Sequence, residues 1–253
     1  MIYGIYQSAA GLQVNQYRQE VLANNLANAS TTGFKHDLSV VRERRAASDE
    51  AFADPSLTNP VFDRLTGGSL VAPSYTVFEQ GSIEHTGNKL DVAISGDGFF
   101  TVEDGDKVGY TRDGRFALNA NGELVTVAGN HKVLDETGKP IVVTADKRGQ
   151  VEITAGGQVR AGQEVIGKLA VADFEDKSRL RKVGGNLLVP TGMEPTSANA
   201  TLNPQSIEGS TVDPTKMLVG MIEASRAYQL NATLIGLADS TLGRAVNDIA
   251  RIR

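Results

Sequence analysis

The chain contains no cysteine and no tryptophan, and aromatic residues make up only 6% of its 253 positions. The first absence excludes a disulfide scaffold, thiolate catalysis and thiolate zinc sites. Three histidines (His36, His85, His131) are present and none lies near another in sequence, so no local metal site is expected. A formal net charge of −5 offers no electrostatic case for nucleic acid or an anionic membrane. No apolar run approaches the ~18–20 residues of a membrane span, and membrane insertion is not expected. The N-terminus shows no basic stretch followed by an apolar block and a cleavage site.

What is present is unevenly distributed. Of the 27 glycines, 17 lie between Gly67 and Gly167. Residues 1–50 and 204–253 each hold five basic and five acidic residues, so the negative charge belongs to the middle. Length suggests one or two domains and is sufficient for a core without crosslinks.

The ends carry helical periodicity. Ile5, Ala9, Leu12, Gln16, Gln19, Ala23 and Leu26 are spaced alternately by four and three, which predicts a heptad seam on a helix running to about Asn28. Ser30-Thr31-Thr32-Gly33 then stops it. The other end is more regular. Met217, Met221, Ala224, Tyr228, Asn231, Ile235, Ala238, Leu242, Ala245 and Ile249 keep the same alternation without a break. Asp213-Pro214 supplies an N-cap and a first-turn proline. Asn231 inside the seam is a device that fixes register or partner number. Leu218, Ile222, Leu230, Leu234 and Leu237 lie off the seam, and a helix apolar on several faces calls for several neighbours.

Between the ends the period falls to two. Leu90–Ile94, Phe99–Val102, Ile141–Val143, Val151–Ile153, Leu169–Ala172 and Leu187–Val189 read as strands. Gly96-Asp97-Gly98, Asp104-Gly105, Asp113-Gly114 and Asn121-Gly122 read as hairpin turns. The expected class is α+β: long N- and C-terminal helices pairing as a coiled-coil-like layer, with a central all-β domain joined by extended linkers. The boundaries are 1–34 for the helix and turn, 35–75 for a linker, 76–190 for the β domain, 191–212 for a second linker and 213–253 for the last helix, which joins 1–34 in one helical domain.

Chemistry is thin. Gly96-Asp97-Gly98 begins a dinucleotide fingerprint, but Thr101 stands where the third glycine belongs, so a turn is preferred to a cofactor site. Asp104 and Asp106 lack the later ligands of a calcium loop. His85 beside Glu84 and Asp91 has no nucleophile signature to accompany it. Lys35-His36-Asp37 reads as a solvated charge cluster, and Arg42, Arg44 and Arg45 as a solvated helix face. Asn-x-Ser/Thr triplets at Asn28, Asn199 and Asn231 read as coincidence. No catalytic residue, cofactor or metal is assigned.

Four stretches then carry a resemblance. Ala23-Asn24-Asn25-Leu26-Ala27-Asn28 followed by Ser30-Thr31-Thr32-Gly33-Phe34-Lys35 resembles the N-terminal motif of bacterial flagellar rod and hook proteins. Thr86 to Phe100, Tyr110 to Phe116, and Met221 to Asn231 resemble further motifs of that family, with Gln229 where it often has Glu. Length resembles the rod members. Glu208 to Pro214 looks like the proximal-rod paralogue, whereas Arg226-Ala227-Tyr228 and Ala10-Gly11-Leu12 look like the distal one. The resemblance implies a structural subunit that is not an enzyme. It implies polymerisation through the terminal helices into the axial shaft that transmits torque to hook and filament. Implied partners are copies of itself, other rod and hook subunits, the flagellar type III export apparatus and the surrounding ring proteins. Implied localisation is the periplasm-spanning rod of the basal body, reached without a cleaved signal peptide. Assembly contacts are expected at Leu12, Asn24, Asn25, Leu26, Asn28, Gly33 and Phe34, and at Met221, Tyr228, Asn231, Ile235, Leu242 and Ile249. Asn24, Asn25, Asn28 and Thr32 are expected to end the helix and set its exit path, and Ile235 and Leu242 to be buried only in the polymer. The rival classes are a secreted β-rich glycan-binding or hydrolytic module oligomerised by a coiled coil, and a hook-capping or export-related binding protein.

Overall fold

A computed structural model describes residues 2–44, 68–105, 107–198 and 200–250. The chain divides into two compact units. One comprises Met1–Ala27, Asp37–Tyr75 and Asp213–Arg253; the other comprises Asn28–His36 and Thr76–Val212.

The first unit is mainly helical. Helix α1 (Ile2–Ala27) and helix α2 (Pro214–Ala250) contain no interior proline. At 1.5 Å per residue they are about 39 and 55 Å long. They run antiparallel, because Gly11 faces Asn231 while Leu22 faces Gly220. Small residues set that approach: a methyl added at Gly11 would lie 2.9 Å from Asn231 Oδ1, and one at Gly220 would lie 3.3 Å from Leu22 Cδ1. The α1 residues that meet α2 here, Gly11, Leu22 and Asn25, each precede an expected seam member by one position. The tightest contacts therefore lie one position before the expected seam, while seam members Gln19 and Ala23 line a groove beside Met221 and Ile222. Close backbone approach selected the glycine side of α1 over the more apolar one.

Asp213 starts α2. Its Oδ1 accepts from the backbone N–H groups of Thr215 and Lys216 at 3.0 and 3.2 Å, the bonds of an N-cap. These donors, the Lys216 N–H foremost, hold the Asp213 carboxyl below its ordinary pKa of 3.8. A depressed carboxylate contributes fully above its unfolded pKa and is lost as pH falls through the lower folded value. Asp213→Ala is therefore expected to speed amide exchange at Thr215 and Lys216 several-fold at neutral pH. The difference from wild type should vanish in acid, below the folded pKa. A difference that persists there would refute the cap as its cause.

Strands β1 (Asp37–Glu43) and β2 (Ser69–Thr76) pair as a two-stranded ribbon inside the segment read as a linker. Arg42 thus lies on a strand and not on a helix face. Arg45, Pro55, Pro60 and Gly67 lie outside the described residues.

The second unit is β-rich. The strands of its largest sheet are β5 (Phe99–Asp104), β6 (Lys107–Thr111), β7 (Phe116–Leu118), β8 (Leu124–Thr126), β9 (Lys132–Val133), β13 (Val171–Asp173), β14 (Leu180–Gly184), β15 (Leu187–Pro190) and β16 (Thr196–Ser197), ordered β14-β15-β6-β5-β9-β8-β7 with β13 and β16 paired beside them. Strands β10 (Val151–Ile153), β11 (Gln158–Ala161) and β12 (Glu164–Lys168) form a separate sheet. Strand β5 is buried on both faces. Phe100 joins the core around Val92, Ile94, Phe116 and Leu124. Its neighbour Phe99 points the other way, into a cluster with Tyr110, Phe174, Leu180 and Leu188. Alternation on a strand delivers adjacent aromatics to opposite layers.

Some expected turns and strands differ. Asp104-Gly105 and Asn121-Gly122 do close the antiparallel hairpins β5–β6 and β7–β8; Asp106 lies outside the described residues. Gly96-Asp97-Gly98 is not a hairpin, because β4 (Val92–Ser95) pairs with β17 (Thr201–Pro204) and β5 pairs elsewhere. Asp113-Gly114 is not one either. Asp113 is buried and accepts from Arg115 Nη2 at 3.1 Å, while a methyl on Gly114 would meet the Val92 carbonyl oxygen. Ile141–Val143 forms no strand, only one isolated bridge, from Val142 to Glu123. The segment 191–212, read as a linker, contributes β16, β17 and β18 (Ser206–Glu208); the last pairs with β3 (Ile83–His85). The segment contains Pro195 and Pro204. Pro204, the last residue of β17, lies opposite Val92, whose N–H is already given to Gly114 O. The missing donor therefore costs no ladder bond.

Candidate assembly interface

Two features stand out physically: a polar joint at the end of α1 and an uncovered apolar surface. The joint begins with Asn25, which is 1% exposed. Its Nδ2 donates to Asp37 O at 2.7 Å and its Oδ1 accepts from Asp37 N at 2.9 Å. One side-chain amide thus pairs a backbone residue as a neighbouring strand would. The Met217 sulfur lies 3.8 Å from the same Nδ2. Asn25 therefore ties α1, β1 and the first turn of α2 together within the helical unit.

In the β-rich unit the turn after α1 is pinned. Gly33 has φ +68°, and its N–H donates to Glu208 O at 2.8 Å. Its Cα lies against the Arg112–Asp113 peptide, where a methyl would come within 2.5 Å of the Arg112 carbonyl carbon. Lys35 then turns inward. Its Nζ reaches Glu208 Oε1 at 2.7 Å, and Arg112 Nη1 reaches Glu208 Oε2 at 3.3 Å. Glu208 is fully buried, and Lys35 and Arg112 are nearly so. Glu208 Oε1 also accepts from Gly81 N at 2.8 Å, Lys35 Nζ donates to Glu79 O, and Arg112 Nη2 donates to Gly96 O. Burial is the largest influence on Lys35 and depresses its pKa.

The expected solvated cluster at Lys35-His36-Asp37 is thereby corrected. Lys35 is buried, His36 Nδ1 and N both meet Thr211 Oγ1, and the Asp37 backbone pairs with Asn25. The partners lie 12 to 175 residues away, beyond the reach of local pattern. His85 faces Ser206 Oγ at 3.5 Å, and Asp91 instead accepts from Thr86 and Asn88.

The apolar surface is concentrated on the helical unit. Fourteen of the twenty exposed large apolar side chains among the described residues lie there. On α2, Leu218, Val219, Ile222, Leu230, Leu234 and Leu237 are 49–67% exposed. Leu38, Val41, Leu70, Val71 and Tyr75 are exposed on the β1–β2 ribbon. A soluble monomer rarely leaves so much apolar surface in one region. Among the described residues no group of three His, Cys, Asp or Glu is gathered for a metal. No described helix is long and apolar enough to cross a membrane.

Comparison with known proteins matches three stretches of the chain. Residues 5–35 match the family described as "Flagella basal body rod protein", residues 93–161 the "Flagellar hook protein FlgE/F/G D1 domain", and residues 203–248 the "Flagellar basal body rod FlgEFG protein C-terminal". Flagellar basal-body rod protein FlgG of Buchnera aphidicola subsp. Schizaphis graminum is 34% identical over 258 residues, covering 96% of this chain and 98% of the relative. The chain belongs to the flagellar basal-body rod protein family. Among its other rod-family relatives, FlgF of Caulobacter vibrioides is 35% identical over 237 residues, with 92% of each chain covered. FlgG of Bacillus subtilis is 31% identical over 268 residues, covering 98% of this chain and 99% of the relative.

The residues expected at rod-family assembly contacts fall into three environments. Gly33 and Phe34 are buried inside the β-rich unit, and Asn25 inside the helical one. Leu12, Leu26, Asn28, Met221, Asn231, Ile235 and Leu242 are half-buried within the single chain, while Asn24 and Tyr228 are exposed. The side chain of Ile249 lies outside the described residues. Ile235 and Leu242 are thus already partly covered before any polymer forms, because the α2 seam faces α1. The row one step around the helix, from Leu218 to Leu237, is the uncovered one. Sequence reading also passed over Lys35, Arg112 and Glu208 as a unit. A signal existed: each lies in a different stretch that carried the family resemblance.

Proposed function

We propose that this chain is a structural subunit of the bacterial flagellar basal-body rod, part of the axial shaft that carries torque to hook and filament. It polymerises through α1 and α2, which pair as a coiled-coil-like layer and act as one assembly domain; the turn at 28–34, expected to belong with them, lies in the β-rich unit instead. Other rod and hook subunits are its neighbours, and it reaches the rod through the flagellar export apparatus without a cleaved signal peptide. The ring proteins around the rod form its outer surroundings. The observation that carries this reading is the exposed row Leu218–Leu237 on a helix whose seam is already occupied. Two faces, one covered and one open, are what a repeating contact between copies needs.

The test separates the two faces. Burying a leucine contributes about 1.5–3 kcal/mol, so Leu230→Glu with Leu234→Glu should weaken each intersubunit contact by at least about a hundredfold. Unfolding of the monomer should stay unchanged, since both positions are exposed. Motility and rod assembly, followed by swarming and electron microscopy of basal bodies, should fail. Normal rods from the double variant would overturn the proposal.

A further inference from the structure

The uncovered row of α2 is a strip in its own right. Val219, Glu223, Arg226, Leu230, Leu234 and Leu237 follow one another by three or four residues, so they share one face, and all are exposed. Among the described residues neither Glu223 nor Arg226 forms an ion pair. A contact that repeats without closing joins two different surfaces, so the counterpart of this row is not a second row.

Two grooves run beside α1 in the helical unit. One is bordered by Leu218, Ile222, Ala23 and Glu20. It is the flank of the row itself, and its only charge would repel Glu223. The other lies between α1 and β1, and no residue of the row lines it. Its walls are Val14, Val21, Leu22, Leu38 and Val41, with Arg18 between the two valines of α1. Arg18 is exposed and, among the described residues, forms no ion pair. Asp37, the other charge of this groove, is half-buried and engaged within the chain. Helices pack by laying a ridge of side chains into a groove. Here ridge and groove are both apolar, and the carboxylate of one matches the guanidinium of the other.

We propose that the α2 row of one copy seats in the α1–β1 groove of a second copy, with Glu223 opposite Arg18. This rests on the polymer reading given above and names the surface that answers the row. The apolar side chains supply the contact, and the charge pair sets its register. Arg226 lies at the rim, where its stem covers apolar surface and its head stays in water.

The full chain is tested by charge reversal, with self-association followed by sedimentation velocity. Arg18→Glu and Glu223→Arg each oppose like charges and should weaken association at least about tenfold. The double variant restores an opposite pair and should return to within about threefold of wild type. Both positions are exposed, so all three variants should keep the wild-type unfolding temperature. A double variant no better than the single ones overturns the pairing. Crosslinking decides independently. The chain has no cysteine, so an introduced one is its sole thiol. Arg18→Cys mixed with Glu223→Cys and treated with a short bis-maleimide should give a heterodimer. Absence of that product overturns the proposal, as does an equal yield of homodimer from Glu223→Cys alone, which would place row against row. The outcomes separate the two claims. If wild type does not associate, or Leu230→Glu with Leu234→Glu associates as wild type does, the polymer reading fails. If that variant is impaired while the charge swap and the mixed crosslink fail, only the pairing does.

Discussion

Gly33→Ala is expected to lower the unfolding temperature of the β-rich unit by roughly 10 °C, taking about 2–4 °C per kcal/mol for a unit of this size. Two effects add. Alanine in the left-handed region costs roughly 1–2 kcal/mol. The new methyl would also lie within 2.5–2.6 Å of three backbone atoms of Arg112 and Asp113. Backbone cannot swing aside as a side chain can, so the Gly33–Glu208 bond or the position of Arg112 must give way. Together about 3–4 kcal/mol is a reasonable expectation for strain plus a disturbed buried network. Gly87→Ala is the control. Gly87 has φ +75° and nothing within 4 Å of an added methyl, so that variant carries the backbone strain alone. Its unfolding temperature should fall by only a few degrees. Equal shifts in the two variants would show that the contact with Arg112–Asp113 contributes nothing.

Glu208→Ala should be the most damaging substitution at the ion cluster, by about 3–5 kcal/mol, because it leaves buried cations without their carboxylate. It removes the partner of Lys35 and Arg112 together with the acceptor of Gly81 N–H. Lys35→Met should cost clearly less. It leaves Arg112 opposite Glu208, a balanced pair, and puts an apolar chain of similar length where the lysine stem ran. The expected order is measured by urea unfolding followed in the β-rich unit, by the amide NMR signals of Phe99–Val102. If Lys35→Met destabilised as much as Glu208→Ala, the carboxylate would not be the centre of the cluster.

How far the sequence spoke for itself depends on the range of the interaction. The two helices, the Asp213 cap and the hairpins at Asp104-Gly105 and Asn121-Gly122 rest on residues a few positions apart, and local pattern exposed them. The α2 seam followed from its 4-and-3 alternation. The α1 face did not, because two registers one residue apart share the same spacing; the decision fell to Gly11, whose value lies in what it lacks. Lys35 looked solvated because its partner Glu208 is 173 residues away. Residues 191–212 read as a linker, and the pairing of Pro204 opposite Val92 could not be foreseen because a missing N–H says nothing of which edge it lies on. At the candidate interface, the exposed apolar row was visible as residues off the seam. Which face was already covered required α1 in place.

The bonds between the turn after α1 and the residues before α2 also bear on when the helices can meet. Without help, closing a loop of about 190 residues costs about 4–5 kcal/mol by the (3/2)RT ln n law. Gly33 N–H to Glu208 O, Thr211 N–H to Phe34 O and His36 N–H to Thr211 Oγ1 hold the two departing segments side by side inside the β-rich unit. Once that unit has folded, most of the loop is already closed, and α1 and α2 start from neighbouring roots. Contacts so distant in sequence are intrinsically slow to form. The expected order of folding therefore runs from the centre outward, with the strands first, the roots next and the helix pair last; pulse-labelled hydrogen exchange that protected α1 and α2 before the strands would contradict it.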